Sequence, residues 1–299
     1  MCPRDGMERY QGEMARDIFI KAVDECMSER MEYIHFHLNG EPLLLDIDEL
    51  CWRIEYAKST NPDKRLVFFT NGSLLTKDKV RKICKTGLDI LVISIDGGTA
   101  EDYERVRVGL KFETVKENAR YLIEYRNATN TKMKLQTAII PQKMNENSVG
   151  LYHKIFADMG IDDVGGSGVQ NIGGLIDSDS MILHKYQYMT GDINAPCWRV
   201  FLDLSITADG KAVICCQDVQ ARHIIGDIKT QSIKEIWQGD LMTEVRDNFA
   251  LGYKDRIKLC ADCDYMRSFV APDFWRDKNN FRKEYFAVKQ KSLETYEYA

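Results

Sequence analysis

No run of apolar residues in this 299-residue chain approaches the roughly 20 that a membrane-spanning helix needs. Positive charge is not in excess either. Its 41 Lys and Arg stand against 46 Asp and Glu, a net charge of −5 that gives no electrostatic reason to expect nucleic acid. The N-terminal end lacks the basic-then-apolar pattern of a secretory leader, so a cytoplasmic protein without a membrane partner is expected. Internal repeats and low-complexity tracts are absent as well. What is there is ordinary globular composition, 44% hydrophobic and 29% charged, in a length that suits one large core and a smaller module.

Nine cysteines in such a chain read as thiols or metal ligands before disulfides. Three explain themselves as core. Cys26 follows Phe19 and Ala22 at helical spacing, Cys51 falls among Ile47, Leu50 and Ile54, and Cys84 ends another apolar stripe. A free buried cysteine packs like a small hydrophobe.

The first half of the chain alternates. Helices are expected over about 14–30, 46–59, 77–85, 112–126 and 146–159. Strands are expected at Tyr33–Leu38, Leu66–Phe69, Ile90–Ile95, Met133–Ile140 and Asp162–Gln170. Runs as continuously apolar as Leu66–Phe69 suit strands covered on both faces. Regular βα alternation implies a parallel sheet, curled toward a barrel by right-handed crossovers. The site then belongs at the C-terminal strand ends, where Gly40-Glu41, Thr70-Asn71-Gly72 and Ser94 to Asp96 fall.

Residues about 171–195 read as a linker, and the pattern changes at Pro196-Cys197. Asp209-Gly210 between two alternating runs signals a hairpin. Residues about 274–298 read as a mostly charged helix. His35 and His37 share one face of a strand, which suits core or rim histidines or a pair pointing into the barrel. Arg105 and Arg107 suit a carboxylate grip or, more simply, a solvated helix face.

Cys260-Ala261-Asp262-Cys263 places two thiolates where they can grip one soft metal centre. With Cys197 before the hairpin and Cys215 at its end, the set fits structural zinc or an iron–sulfur cluster, and spacing alone does not choose. Four ligands suffice, so Cys215 and Cys216 are not both needed.

These motifs, in this order, resemble the radical S-adenosylmethionine (SAM) superfamily with a C-terminal SPASM or twitch domain. Cys2-Pro3-Arg4 resembles the last cysteine of that family's Cys-x3-Cys-x2-Cys signature with its neighbours. Asn39-Gly40-Glu41-Pro42 resembles the Gly-Gly-Glu motif that binds the SAM amino group, with Asn39 in place of the first glycine. Thr70-Asn71-Gly72 resembles the turn after the family's third strand, and Ser94 and Gln136 stand where the SAM ribose is contacted. Pro196-Cys197, Gly210-x4-Cys215, Ile225-Gly226-Asp227-Ile228, Ser232 to Trp237 and Cys260-x2-Cys263 follow the family's C-terminal order.

The resemblance implies an α/β protein: a partial (β/α)6 TIM-like barrel lacking its first strand, then a small α+β iron–sulfur module. The implied parts are a barrel over 1–175, a linker over 176–195, a SPASM/twitch domain over 196–270 and a C-terminal helix over 271–299. It implies an auxiliary 4Fe-4S cluster on Cys197, Cys215, Cys260 and Cys263, with Cys2 one ligand of a catalytic cluster. The implied SAM-binding residues are Gly40, Glu41, Thr70, Asn71, Ser94 and Gln136.

One cysteine cannot hold a catalytic cluster, so this chain as written is expected not to cleave SAM. Either its start lies late in the gene or it is a degenerate relative. The apolar edge that Tyr33–Leu38 would expose favours the late start. The cysteine count resembles single-cluster members such as 2-deoxy-scyllo-inosamine dehydrogenase, so the expected activity is radical oxidation of a sugar- or cyclitol-like small molecule. Peptide maturation and an inactive iron–sulfur or zinc scaffold are the alternatives. The expected electron donor is a flavodoxin or ferredoxin.

Overall fold

The structure, a computed structural model, describes residues 6–26, 31–183, 197–268 and 278–296. A five-stranded parallel sheet forms the first half. It contains β1 (Tyr33–His35), β2 (Arg65–Thr70), β3 (Ile90–Ser94), β4 (Lys134–Ile139) and β5 (Asp163–Gly166), in that spatial order. Helices α1 (Arg16–Cys26), α2 (Ile47–Thr60), α3 (Lys77–Ile83), α4 (Ala100–Val106), α5 (Phe112–Ala128) and α6 (Val149–Asp158) accompany the strands.

Local chemistry sets the helix starts. Asp46 caps α2 by accepting from the Asp48 and Glu49 amides at 3.0 and 3.1 Å, and Thr76 and Thr99 cap α3 and α4. Two strands are shorter than the sequence suggests. β1 ends at His35, and β5 spans four residues of the glycine-rich stretch. Glycine has no side chain to pack along a sheet, which weakens a strand there.

The sheet has two distinct faces. Leu66, Phe68, Leu91, Ile93, Leu135 and Ile139 join the helices in one buried core. By the two-residue period of a strand, Val67, Phe69, Val92, Ser94, Gln136 and Ala138 lie on the opposite, concave face. Cys51 and Cys84 are buried, and burial pushes both thiols up to about 11, as inert packing residues require. Cys26 is also buried.

The second half starts with α7 (Arg199–Leu202) and an antiparallel sheet of β6 (Ser205–Ile206), β7 (Lys211–Val213) and β8 (Ile224–Asp227). The expected Asp209-Gly210 turn joins β6 to β7, with Gly210 at φ +87°. Next come α8 (Ile233–Gln238), opened by a Ser232–Glu235 capping box, α9 (Asp240–Leu251) and α10 (Lys258–Ala261). The expected C-terminal helix is α11 (Lys278–Tyr296). It packs on α9, where Tyr285 and Lys289 bind the Asp247 carboxylate at 2.9 and 2.5 Å.

Helix α1 serves both halves. Phe19 and Val23 enter the first core, while Ile18, Ala22 and Cys26 pack with Ile228 and Ile233. Glu25 accepts the Ile233 amide at the start of α8 at 2.5 Å. Among the described residues, no helix is long and apolar enough to cross a membrane.

Candidate functional site

At the C-terminal ends of β1 and β2, the structure brings four of the predicted residues together. Glu41 follows β1 and opens a short 3-10 turn, Pro42–Leu44. Its Oε1 accepts from the Thr70 hydroxyl at 2.6 Å and the Leu43 amide at 3.2 Å, and its Oε2 accepts from the Asn71 amide at 2.7 Å. Thr70 passes the order on by accepting the Gly72 amide at 3.1 Å. Asn71 closes its own turn onto Ser73 at 2.9 Å.

Glu41 is therefore first a brace between two strand ends, though an ionised carboxylate keeps lone pairs beyond those three bonds. Gly40 is exposed, and a Cβ there would meet nothing within 4 Å. The protein itself leaves the space beside Gly40 open, as a ligand that approaches the backbone requires. Gly72 is different: its φ is +76°, and a Cβ would lie 2.8 Å from Ile93.

Ser94 and Gln136 lie on the concave face, half-buried. Ser94 is opposite Ala138 in the ladder, and Gln136 is opposite Asp163, to whose carboxylate it donates at 3.3 Å. His35 and His37 neighbour the same face. Their rings lie 6.3 and 5.0 Å from that of Phe69, and His37 Nδ1 accepts the Phe69 amide at 3.4 Å. Burial, reinforced by His35, lowers His37 to about 4, and burial lowers His35 as well. Both rings are neutral at pH 7.

Arg107 is no solvated residue: it donates to the fully buried Asp96 at 2.6 Å. Arg105 pairs with Glu101 and Asp102 along its own helix. Sequence reasoning did not find Asn145. It is fully buried, donates to the carbonyls of Asp96 and Ile140 at 3.1 and 3.0 Å, and accepts the Gln142 amide at 2.8 Å. That side chain ties the ends of β3 and β4, and no local sequence signal marks it.

The second constellation lies beyond the barrel. Cys197, Cys215, Cys260 and Cys263 line one largely apolar cavity with Val200, Phe249, Leu259 and Met266. Cys216 does not line it. Among the described residues, no three His, Cys, Asp or Glu side chains converge closely enough to hold a single ion, and the four thiols share the wall of this cavity. Backbone amides aim at their sulfurs. Gln217 N–H donates to Cys215 at 3.4 Å, and the backbone of Arg199 at Cys197 and of Tyr265 and Gly173 at Cys263 favours the thiolate form.

Burial pushes Cys197 up to about 12 and raises Cys260 and Cys263. Cys215 and Cys216 share a hydrogen bond that raises the first and lowers the second. Dry thiols of this kind ionise only against a bound cation, while preset N–H···S donors suit thiolate. The donor set and its surroundings fit an iron–sulfur cluster.

The loop after β5 fastens this centre to the barrel. The Asn171 amide donates to Asp264 at 2.8 Å, Asn171 Nδ2 to the Asp262 carbonyl at 2.5 Å, and Gln217 to Gln170 at 2.8 Å. Gly173, at φ +63°, comes so near α10 that a Cβ would lie 2.4 Å from Leu259. Cys2, residues 184–195 of the expected linker and Pro196 lie outside the described residues.

Comparison with known proteins agrees with this geometry. Residues 1–142 match the radical SAM superfamily, and residues 197–264 match SPASM, an iron–sulfur cluster-binding domain. The S-adenosyl-L-methionine-dependent 2-deoxy-scyllo-inosamine dehydrogenase of Niallia circulans is 21% identical over 265 residues, 88% of this chain and 86% of that one. The crystal structure of BtrN in complex with AdoMet and 2-DOIA has a TM-score of 0.59 at 20% identity, covering 88% of this chain and 85% of the other. Streptococcus suis SuiB bound to precursor peptide SuiA has a TM-score of 0.61 at 14% identity, covering 87% and 65%. With both domains matched in order on one chain, and a parallel α/β sheet leading into a four-cysteine centre, the protein carries a radical SAM domain over residues 1–142 and an iron–sulfur cluster-binding SPASM domain over residues 197–264.

Proposed function

We propose that the protein oxidises an alcohol carbon of a small sugar- or cyclitol-like molecule by two electrons. The observation that carries this reading is the four-cysteine cavity, lashed by Asn171, Gly173 and Gln170 to the loop that leaves the last barrel strand. When bound, SAM and the clusters would supply the one-electron chemistry, hydrogen-atom abstraction from the carbon and acceptance of the second electron.

The chain's own residues do the rest. Gly40, Glu41, Thr70 and Asn71 form the cradle for the SAM amino acid part, with Glu41 holding the two turns in register. Ser94 and Gln136 line the concave face toward the ribose. Cys197, Cys215, Cys260 and Cys263 are the auxiliary ligands, and Cys2 is a ligand of the catalytic cluster. The likeness to an inosamine dehydrogenase over most of both chains supports a polyol substrate over a peptide. The reading includes a cytoplasmic setting and a flavodoxin or ferredoxin as electron donor.

Anaerobic reconstitution with iron and sulfide tests it, with iron, labile sulfide and zinc counted per chain. About four irons are expected from one cubane cluster. One zinc and no stable iron would overturn the oxidoreductase reading in favour of a structural scaffold.

A further inference from the structure

One charged side chain beside the cysteine cavity takes no part in the roles assigned so far. Arg199 opens α7 two residues after Cys197. Its guanidinium lies 4.4 Å from the Tyr265 ring centroid and 4.9 Å from that of Trp198. Nη1 donates to Asp203 at 2.6 Å, and the buried Nε has no hydrogen-bond partner. The side chain is only 22% exposed. Two aromatic faces and one carboxylate thus hold the charge in a single place.

That place is electrostatically connected on both sides. Tyr265, whose ring carries the guanidinium, lines the cavity together with Cys197, Cys215, Cys260 and Cys263, and the charge also favours the ionised thiols and, with Asp203, reaches His35 beside the concave barrel face. A guanidinium removed from water is costly unless anionic partners offset it. Asp203 supplies one negative charge, and the unspent Nε–H calls for another acceptor. Four thiolates gathered in the adjacent cavity supply that demand, because a cluster bound by four cysteines is a net anion that becomes more negative on reduction.

We propose that Arg199 and Asp203 set the reduction potential of the auxiliary cluster: Arg199 stabilises the reduced form, and Asp203 moderates it. The proposal rests on the reading that the four cysteines hold a cluster. Charge near a cluster is among the levers that fix its potential, and a fixed charge in a poorly solvated site acts with little screening. Arg199 is here a positioning and tuning residue, not a catalytic one.

The test is an anaerobic, EPR-monitored redox titration of the reconstituted full chain, as wild type, R199K, R199Q and D203N, with iron counted for each. For R199Q we expect the reduced-to-oxidised ratio at a fixed poise to fall about tenfold, a shift of about 60 mV to lower potential for one electron. R199K keeps most of the wild-type value. D203N moves the other way, to higher potential. A purely structural role for the pair predicts cluster loss or shifts of one sign, so opposite signs are the signature of charge.

Equal midpoints across the set, or R199Q and D203N moving together, would overturn the proposal while leaving the cluster intact. Should R199Q take up no iron, D203N decides: a rise supports the proposal, and no change overturns it. A wild type without iron would instead remove the cluster reading itself.

Discussion

Glu41 and Thr70 lie 29 residues apart and share a 2.6 Å hydrogen bond that joins the ends of β1 and β2. Charged acceptors make stronger bonds than neutral ones, and this carboxylate also holds the Asn71 amide. The E41A variant is expected to lose about 2 kcal/mol of stability in urea unfolding. It is also expected to lose hydrogen-exchange protection at the Asn71 amide. Unchanged protection there would show that Glu41 is no brace.

The cysteines divide by which of them face the cavity. C215A, C260A and C263A are each expected to lose most reconstituted iron, whereas C216A retains it. Iron retained in C215A and lost in C216A would reverse the assignment made from the cavity lining.

Asn145 is a fully buried side chain that satisfies three backbone groups at once. N145A takes this partner from two carbonyls and one amide and should cost about 3 kcal/mol. N145D keeps the acceptor toward Gln142 but places a carboxylate oxygen against the carbonyls, and it should cost no less. Chemical denaturation measures both. A loss under 1 kcal/mol in each would mean that water takes over these bonds.

His37 gives a pH signature. Its folded pKa, lowered to about 4 by burial, lies below the ordinary value of 6.5. Between these values the unfolded chain binds the proton more readily. His37 therefore costs no stability above about pH 6.5 and removes it progressively as pH falls toward 4, by at most about 3 kcal/mol. Carboxylates titrate in the same window, so the comparison is between wild type and H37Q. H37Q should show a shallower loss of stability from pH 6.5 to 4, and parallel curves would contradict a buried neutral ring.

Much of the barrel was legible in the sequence because its strands are covered on both faces. Leu66–Phe69 and Ile90–Ile93 have no polar interruption, and buried parallel strands sustain that. β1 was overextended, because His35, Phe36 and His37 alternate well enough to suggest a strand that the ladder ends at His35. The turn at Asp209-Gly210 was legible because few residues adopt positive φ readily. Arg107 was not: a helical arginine next to other charges looks solvated until a buried Asp96, eleven residues back, receives it.

The sequence by itself determined the βα alternation, the hairpin and the presence of the downstream cysteine set, since these depend on local periodicity and residue chemistry. The resemblance pointed to Cys215 rather than Cys216 through the Gly210-x4-Cys215 spacing, and the tertiary structure lines the cavity with Cys215 and not Cys216, because adjacent residues after a strand point in different directions. The tertiary structure alone joined Glu41 to Thr70, Asn145 to Asp96, Asn171 to Asp264, and Arg199 to the ring of Tyr265. Such contacts form when distant segments exclude water together, and their strength depends on that shared burial, which no local stretch of sequence encodes.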